Sequence, residues 1–493
     1  MVLQKKPQDQ LTLIIDQGSH ASRIALFTTT GKQVYLESRD ISTRSAEQAN
    51  NQVTYEQDAH EILQSISNLL NALPDNLVNR IQNCGLCTQR STIVAWHKTS
   101  GETLSPAISW RDTRAQPLIE TLRPCEDEIR KTSGLALSAH YSASKIHWLL
   151  KHNLAVQQAD KSSQLNISPL ASFLLFHLLN EKPYLIDHSN AQRSQLFDIQ
   201  QLNWSKPLLK LFHIKQGLLP VCSPMINLYG HLYLNNIPLT TVAGDQNASL
   251  HAFPPLHKNQ ALLNVGTGAF ILSPATHNKA GSKLLYTLSS SDAKACRFVN
   301  EGTVNGAGSA LSWQQKIDAT HNISTDIFNQ LPVWLKQIHS PPVFINTISG
   351  LGSPWWCSHA GEADFLSHTK TNRAERYVAI IESIIFLIFK NIQQLEIPPD
   401  TLLISGGLSQ LDDLCHKLAD LSQIKVVRFN DAETTARGCA WLANQLLKNN
   451  HLDWKPLEIS QQFIPHKSHQ QKKNIHSRYQ QFVGELNKRC SSD

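Results

Sequence analysis

The chain has 493 residues, 41% of them hydrophobic and 17% charged, and a formal net charge of +6. This is the composition of a folded globular protein of two or more domains, and it excludes a disordered chain. The charge is small for the length and is not interleaved with aromatic residues in a basic stripe, so nucleic acid is not expected as a partner.

The nine cysteines are an odd number scattered along the chain, which fits free thiols in a reducing compartment. No signal peptide is read, because Asp16 interrupts the short apolar run at 11–15. The longest apolar stretch, 379–389, contains Glu382 and is too short to span a bilayer. A cytoplasmic protein without a membrane partner is expected.

In chain order, residues 12–27 read as a strand, a tight turn at Gly18-Ser19 and a second strand. Glycine lets a ligand approach the backbone, and the turn's N–H groups with the Ser19 hydroxyl can cradle anionic oxygens. Asp16, at the end of the first strand, is either a turn former or a carboxylate that holds a divalent metal beside a phosphate. Asp58 is placed to cap a helix with Ile62, Ile66, Leu69 and Leu73 on one face. Strands follow at 81–88 and 92–97. Within the first, Cys84-Gly-Leu-Cys87 is either a metal or redox pair or two small buried strand residues. A helix starts at Ser142, and Pro169 opens a second, strongly apolar one.

Residues 241–249 read as a strand end, a Gly244-Asp245 turn and a helix start. Asp245 is either a helix cap or a general base at a strand–helix junction. The domain boundary is expected near 251–258. The shape of residues 12–27 then recurs at 262–273, with Gly266-Thr267-Gly268 in the turn. Two such hairpins suggest two related α/β domains facing each other across a nucleotide cleft. Gly308 and Ser312 open the next helix. Thr371 or Asn372 caps a long helix with Tyr377, Ile381, Ile384, Ile388 and Ile392 on one stripe. A strand at 401–405 runs into Gly406-Gly407, where a flat ring or a phosphate could approach the backbone. The helix at 433–447 carries Ala436, Gly438, Ala440 and Ala443, which permit close packing. Residues after about 450 read as a helical appendix.

Taken in order, Asp16-Gln-Gly-Ser-His-Ala-Ser-Arg23, Thr88-Gln-Arg90, Ser109-Trp110-Arg-Asp-Thr-Arg114 and Ser142-Ala-Ser-Lys145-Ile-His-Trp148 form an ordered set. It continues through Ala243-Gly-Asp245-Gln246, Gly266-Thr-Gly268, Glu301-Gly302, Gly350-Leu-Gly-Ser-Pro-Trp-Trp356 and Ser405-Gly-Gly407. The series resembles the FGGY carbohydrate kinases, and their glycerol kinase branch most closely, from residue 11 to about 484. The resemblance implies two ribonuclease-H-like domains of the actin–hexokinase type flanking a central cleft. It divides the chain into an N-terminal sugar-binding and catalytic-base domain (1–253), a C-terminal nucleotide-binding domain (254–450) and the appendix (451–493).

The resemblance also implies roles. The activity is ATP-dependent phosphorylation of a hydroxyl on a small polyol or sugar, with Mg²⁺. Asp245 is the catalytic base, and Asp16 with Asp245 serves the metal. Arg90, Ser91, Trp110, His140, Asp245, Gln246 and Phe270 fall at acceptor-binding positions. Gly18, Ser19, His20, Arg23, Thr267, Gly268, Gly308, Ser312, Gly406 and Gly407 fall at ATP-binding positions. Dimers or tetramers of the chain are implied, although no interface is legible. The sequence departs from glycerol kinases in having Arg90-Ser91 for Arg-Glu, His140 for Tyr, His20 for Thr and Leu411 for Asn. These departures set the alternatives: a ketose or pentitol kinase, or a non-catalytic sugar or nucleotide sensor.

Overall fold

The computed structural model describes residues 10–47, 53–253, 255–279, 281–320, 323, 326–357, 360–366, 371–430, 433–447, 454–465 and 469–491. The chain forms two compact units. The first comprises residues 1–254, 287–298 and 433–456; the second comprises 255–286, 299–432 and 457–493.

The first unit is built on a six-stranded sheet. Its order is Ile226–His231, Pro238–Gly244, Ile81–Thr88, Leu11–Gln17, Ala21–Thr28, Gln33–Asp40. The strands Leu11–Gln17, Ile81–Thr88 and Pro238–Gly244 run parallel to one another, and their hairpin partners run antiparallel. The first of these is buried along its whole length, Thr12, Asp16 and Gln17 included. Three parallel strands therefore end side by side, at Gln17, Thr88 and Gly244. In open α/β sheets ligands bind beyond such carboxyl ends.

The second unit repeats this plan. The seven-stranded sheet runs Leu285–Ser291, Cys296–Val304, Ala269–Ala275, Gln260–Val265, Thr401–Ser405, Lys425–Phe429, Ile459–Phe463, its strand residues within 287–298 being counted with the first unit and the rest with the second. Again a hairpin supplies the first strand, here Gln260–Val265, and two further strands run parallel to it in succession. An antiparallel strand closes each sheet at the far edge. The two hairpins expected from sequence thus each lead into two further parallel strands and an antiparallel edge strand, while on the hairpin side the two sheets, of six and seven strands, differ.

Local signals act as read. The Asp58 side chain accepts from the His60 and Glu61 N–H groups and caps the helix Ala59–Asn71. Asn372 and Glu375 form a reciprocal capping box at the start of the helix Arg373–Ile392. Cys84 and Cys87 are buried strand residues with free thiols.

The compact units are not the three continuous stretches 1–253, 254–450 and 451–493 expected from sequence, because each unit gathers separate segments. Residues 433–456 return to the first unit, and Ile459–Phe463 is an edge strand of the second sheet ahead of the helix His469–Cys490. The return has a packing cause. The helix Thr434–Asn444 buries Ala436, Gly438, Cys439, Ala440 and Ala443. It is also tied to the sheet by buried polar contacts. Asn83 Nδ2 and Thr240 Oγ1 donate to the Ala443 carbonyl at 2.9 and 2.7 Å, and Asn444 Nδ2 donates to Thr12 Oγ1 at 2.9 Å. A Cβ on Gly438 would overlap the Ala248 carbonyl. Gly438→Ala is therefore expected to destabilise the first unit by about 1–3 kcal/mol, read as a lower denaturation midpoint. An unchanged midpoint would mean that the helix packs less closely than described.

Candidate active site

The three parallel strands of the first unit deliver the candidate residues together. Asp16 is the penultimate residue of Leu11–Gln17, Arg90 follows the end of Ile81–Thr88, and Asp245 follows the end of Pro238–Gly244. Gly244 occupies the cap position, and Asp245 is the first residue of the helix Asp245–Ser249. Its Oδ1 accepts from the Gln246 N–H at 2.7 Å and lies 3.7 Å from Arg90 Nε. Arg90 Nη1 also donates to Asn247 Oδ1 at 3.2 Å, and Asn247 Nδ2 donates to the Leu288 carbonyl at 2.5 Å. Gly244 is required here, since a Cβ would lie 2.6 Å from Arg90 Cδ. Ser189 Oγ accepts the Gly244 N–H at 2.8 Å and donates to Asp187, so the strand end is held from behind.

Asp16 is 3% exposed. Burial raises its pKa to about 6, the Arg23 guanidinium at 3.5 Å opposes the rise, and the nearby Asp245 charge adds to it. Arg23 also lies 4.0 Å from Glu433. A nearby like charge and burial both disfavour the ionised form of a carboxyl group. Gly18 donates its N–H to the Ala21 carbonyl at 3.0 Å to form the turn, and His20 is exposed at its tip. Ser19 is placed by Trp110, whose indole N–H donates to Ser19 Oγ at 2.9 Å.

Trp110 and His140 stand together, with ring centroids 6.2 Å apart. His140 Nδ1 is 3.1 Å from the Trp110 carbonyl. A carbonyl only accepts, so Nδ1 carries the proton and Nε2 is the acceptor of the neutral ring. Burial, followed by the charge of Lys145, lowers the His140 pKa and keeps the ring neutral. Fully buried Lys145 donates to the carbonyls of Ser91, Trp110 and His140 at 3.3, 3.3 and 2.5 Å. One ammonium thus gathers three segments that carry candidate residues. In the sequence Lys145 stands only within the ordered stretch Ser142 to Trp148, with no role of its own. Ser91 adopts φ +65° and is buried, and its hydroxyl donates to the Arg193 carbonyl at 3.0 Å.

The family models decide the wider assignment. Residues 11–250 match the FGGY family of carbohydrate kinases, N-terminal domain, and residues 261–446 match its C-terminal domain. The chain belongs to the FGGY carbohydrate kinase family. Curated relatives include glycerol kinases of Natranaerobius thermophilus, 28% identical over 95% of this chain and 97% of theirs, and of Enterococcus casseliflavus, 27% identical over 96% of each. Solved structures of the same fold include the Plasmodium falciparum glycerol kinase with ADP, at TM-score 0.83 and 23% identity over 97% of this chain and 98% of that one. A ligand-bound xylulose kinase from Lactobacillus acidophilus aligns at TM-score 0.81 and 17% identity over 98% and 99%. The fold is thus the two-domain α/β fold of FGGY kinases, of the actin–hexokinase type.

The second unit of this FGGY chain holds the remaining candidates. The turn Gly266-Thr267-Gly268 is locked to the start of the helix Gly308–Thr320: the Gly308 N–H donates to the Gly266 carbonyl at 2.9 Å and the Ser309 N–H to the Thr267 carbonyl at 3.0 Å. A Cβ on Gly308 would lie 2.8 Å from the Gly266 oxygen, so only glycine fits. Ser312 Oγ donates to the Gly308 carbonyl at 3.2 Å. Phe270 stands on Ala269–Ala275 in the same unit. Gly406 has φ +90°, and a Cβ there would lie 2.6 Å from the Val265 carbonyl oxygen. At Gly407 a Cβ would meet nothing within 4 Å, so the backbone borders open space. Leu411 is buried in the core of this unit. Among the described residues, no helix is long and apolar enough to cross a membrane.

Proposed function

We propose that this FGGY kinase transfers the terminal phosphoryl group of ATP to a hydroxyl of a small polyol or sugar, with Asp245 as general base. The observation that carries the reading is the meeting of Asp16, Arg90 and Asp245 beyond three adjacent parallel strands. Asp245 would take the proton from the acceptor hydroxyl as that oxygen attacks the phosphorus in line, with ADP as the leaving group. Arg90, Trp110, His140 and Gln246 would line the acceptor pocket. The unprotonated Nε2 of His140 suits a hydroxyl donor, and Arg90 suits an acceptor oxygen. Ser91, with its hydroxyl bonded to Arg193, would contribute its backbone position. Phe270 is part of the same proposal, from the second unit.

In the first unit Gly18, Ser19, His20 and Arg23 would serve the phosphates of ATP, and in the second unit Thr267 and Gly268 are proposed for ATP on the same turn chemistry. Gly308, Ser312, Gly406 and Gly407 would border the adenosine, where the open space at Gly407 supports a flat ring. The acidic pair fits Mg²⁺ by its donors. Among the described residues no group of three or more His, Cys, Asp or Glu could cage an ion. One or two carboxylates, with water and phosphate oxygens completing the shell, are a usual Mg²⁺ environment. Asp16 and Asp245 would hold that ion, which when bound neutralises phosphate charge. The same reading places the protein in the cytoplasm, as a homodimer or homotetramer.

A coupled assay of ADP release over a panel of polyols and sugars tests the proposal. Turnover that depends on one acceptor class supports it, and no acceptor-dependent turnover on any of them refutes it. A non-catalytic sensor is not favoured, because both carboxylates that the chemistry needs are present. Arg90→Ala is expected to raise the acceptor KM by about tenfold or more and the ATP KM much less. Equal effects on both would remove Arg90 from the acceptor pocket.

A further inference from the structure

The hydrogen bond from Trp110 to Ser19 is one link of a closed ring. The Trp110 indole N–H donates to Ser19 Oγ at 2.9 Å, and the Ser19 carbonyl accepts from Gln57 Nε2 at 2.9 Å. Gln57 Oε1 accepts from Gln89 Nε2 at 2.9 Å, and Gln89 Oε1 accepts from Thr92 Oγ1 at 3.0 Å. Thr92 Oγ1 in turn accepts the Trp110 backbone N–H at 3.1 Å. The ring joins the first hairpin turn, the residue before the Asp58 cap, both flanks of Arg90-Ser91 and the segment of Trp110. Gln57, Gln89 and Thr92 are 2%, 1% and 0% exposed.

The polarity of the ring follows from its fixed members. The Ser19 carbonyl can only accept, so Gln57 presents its NH₂ there and its oxygen to Gln89. Gln89 must then give its NH₂ to Gln57 and its oxygen to Thr92. The Thr92 hydroxyl spends its proton on Gln89 and accepts from Trp110, whose two N–H groups can only donate. Every orientation is therefore set by every other, and none can reverse alone. The Ser19 hydroxyl receives the indole N–H, so its own proton points to a different acceptor, as an anionic oxygen in the turn would require. A network of this kind, whose connecting side chains Gln57, Gln89 and Thr92 are buried, moves as a unit or breaks at a cost.

We propose that this ring couples the acceptor pocket to the phosphate turn, with Gln57, Gln89 and Thr92 as positioning residues. The inference rests on the proposed roles of Trp110 at the acceptor and Ser19 at the phosphates. An acceptor that fixes Trp110 fixes Ser19 for ATP, and by linkage ATP does the same for the acceptor. The coupling keeps ATP poorly held until an acceptor is present.

The test uses the full-length protein, magnesium ATP and the panel acceptor with the highest kcat/KM. Two-substrate kinetics give the ratio of the ATP dissociation constant of the free enzyme to its KM with acceptor bound. The wild-type ratio is expected to be at least about fivefold. In Gln57→Met and in Thr92→Val it is expected to fall towards one. A residue that merely supports the fold would lower the thermal midpoint and leave the ratio unchanged. Thr92→Val keeps the side-chain shape and carries the test if Gln57→Met does not fold. A wild-type ratio of one, or an unchanged ratio in a folded variant, overturns the inference alone. A wild type without turnover on any acceptor overturns the proposed function and this inference with it.

Discussion

Asp245→Asn is expected to lower kcat by about 10²–10⁴-fold while the protein stays folded and binds ATP nearly as before. The amide has the carboxylate's shape, so it can still accept from the Gln246 N–H that Oδ1 now binds at 2.7 Å. What it lacks is the ability to take a proton, and a charge opposite Arg90 at 3.7 Å, while its amide oxygen remains a neutral donor to an ion whose charged ligand is Asp16. A base acts in the transition state, so the loss should fall on kcat, with little change in the acceptor KM. Stopped turnover with an intact ATP isotherm is the expected pair of results. A variant that retains most of its kcat would remove Asp245 from the base role and leave it as a residue that orients the helix Asp245–Ser249.

Asp16→Asn is expected to move activity and stability in opposite directions. Turnover should fall by roughly two orders of magnitude or more, with weaker dependence on magnesium, because a metal-bearing carboxylate is lost. Stability of the metal-free protein near pH 7 should rise. The folded pKa of Asp16, about 6, lies above its ordinary value of 3.8, chiefly because of burial. Between those two values the folded state binds the extra proton, so the contribution of Asp16 to stability is most favourable below about pH 4 and declines as pH rises to about 6. The full difference is about 3 kcal/mol at neutral pH. Asparagine has no such titration, so that part of the slope should vanish in the variant. Arg23, left without Asp16, is 39% exposed in its side chain and remains solvated. Denaturant titrations at several pH values, without magnesium, check this. A variant less stable than the wild type at pH 7 would mean that the Arg23 pair outweighs burial.

Much of the fold was legible where the signal is local. The glycine-bearing turns at Gly18 and at Gly266 to Gly268 announced two hairpins, and each leads into two further parallel strands and an antiparallel edge strand. The strand Ile81–Thr88 and the caps at Asp58 and Asn372 were visible from short patterns. Long-range placement was not. The small residues of the helix Thr434–Asn444 promised close packing but could not say against what. The answer lies in its bonds to Thr12, Asn83 and Thr240, and Thr12 is more than four hundred positions away. At the candidate site, Asp245 was ambiguous between cap and base. The structure gives the cap position to Gly244 and places the carboxylate beside Arg90. Gln57, Gln89 and Lys145 carried no readable role, because a polar side chain that bonds only across the fold leaves no periodicity behind.

The proposed chemistry is tested most directly by following the phosphoryl group. The enzyme is incubated with magnesium ATP and the acceptor panel in water enriched with heavy oxygen, and the products are weighed by mass spectrometry. The expected product is a phosphorylated acceptor whose ester carries no solvent oxygen, formed by the wild type and lost in Asp245→Asn. Heavy-oxygen inorganic phosphate as the only product, or no product at all with any acceptor, would contradict it.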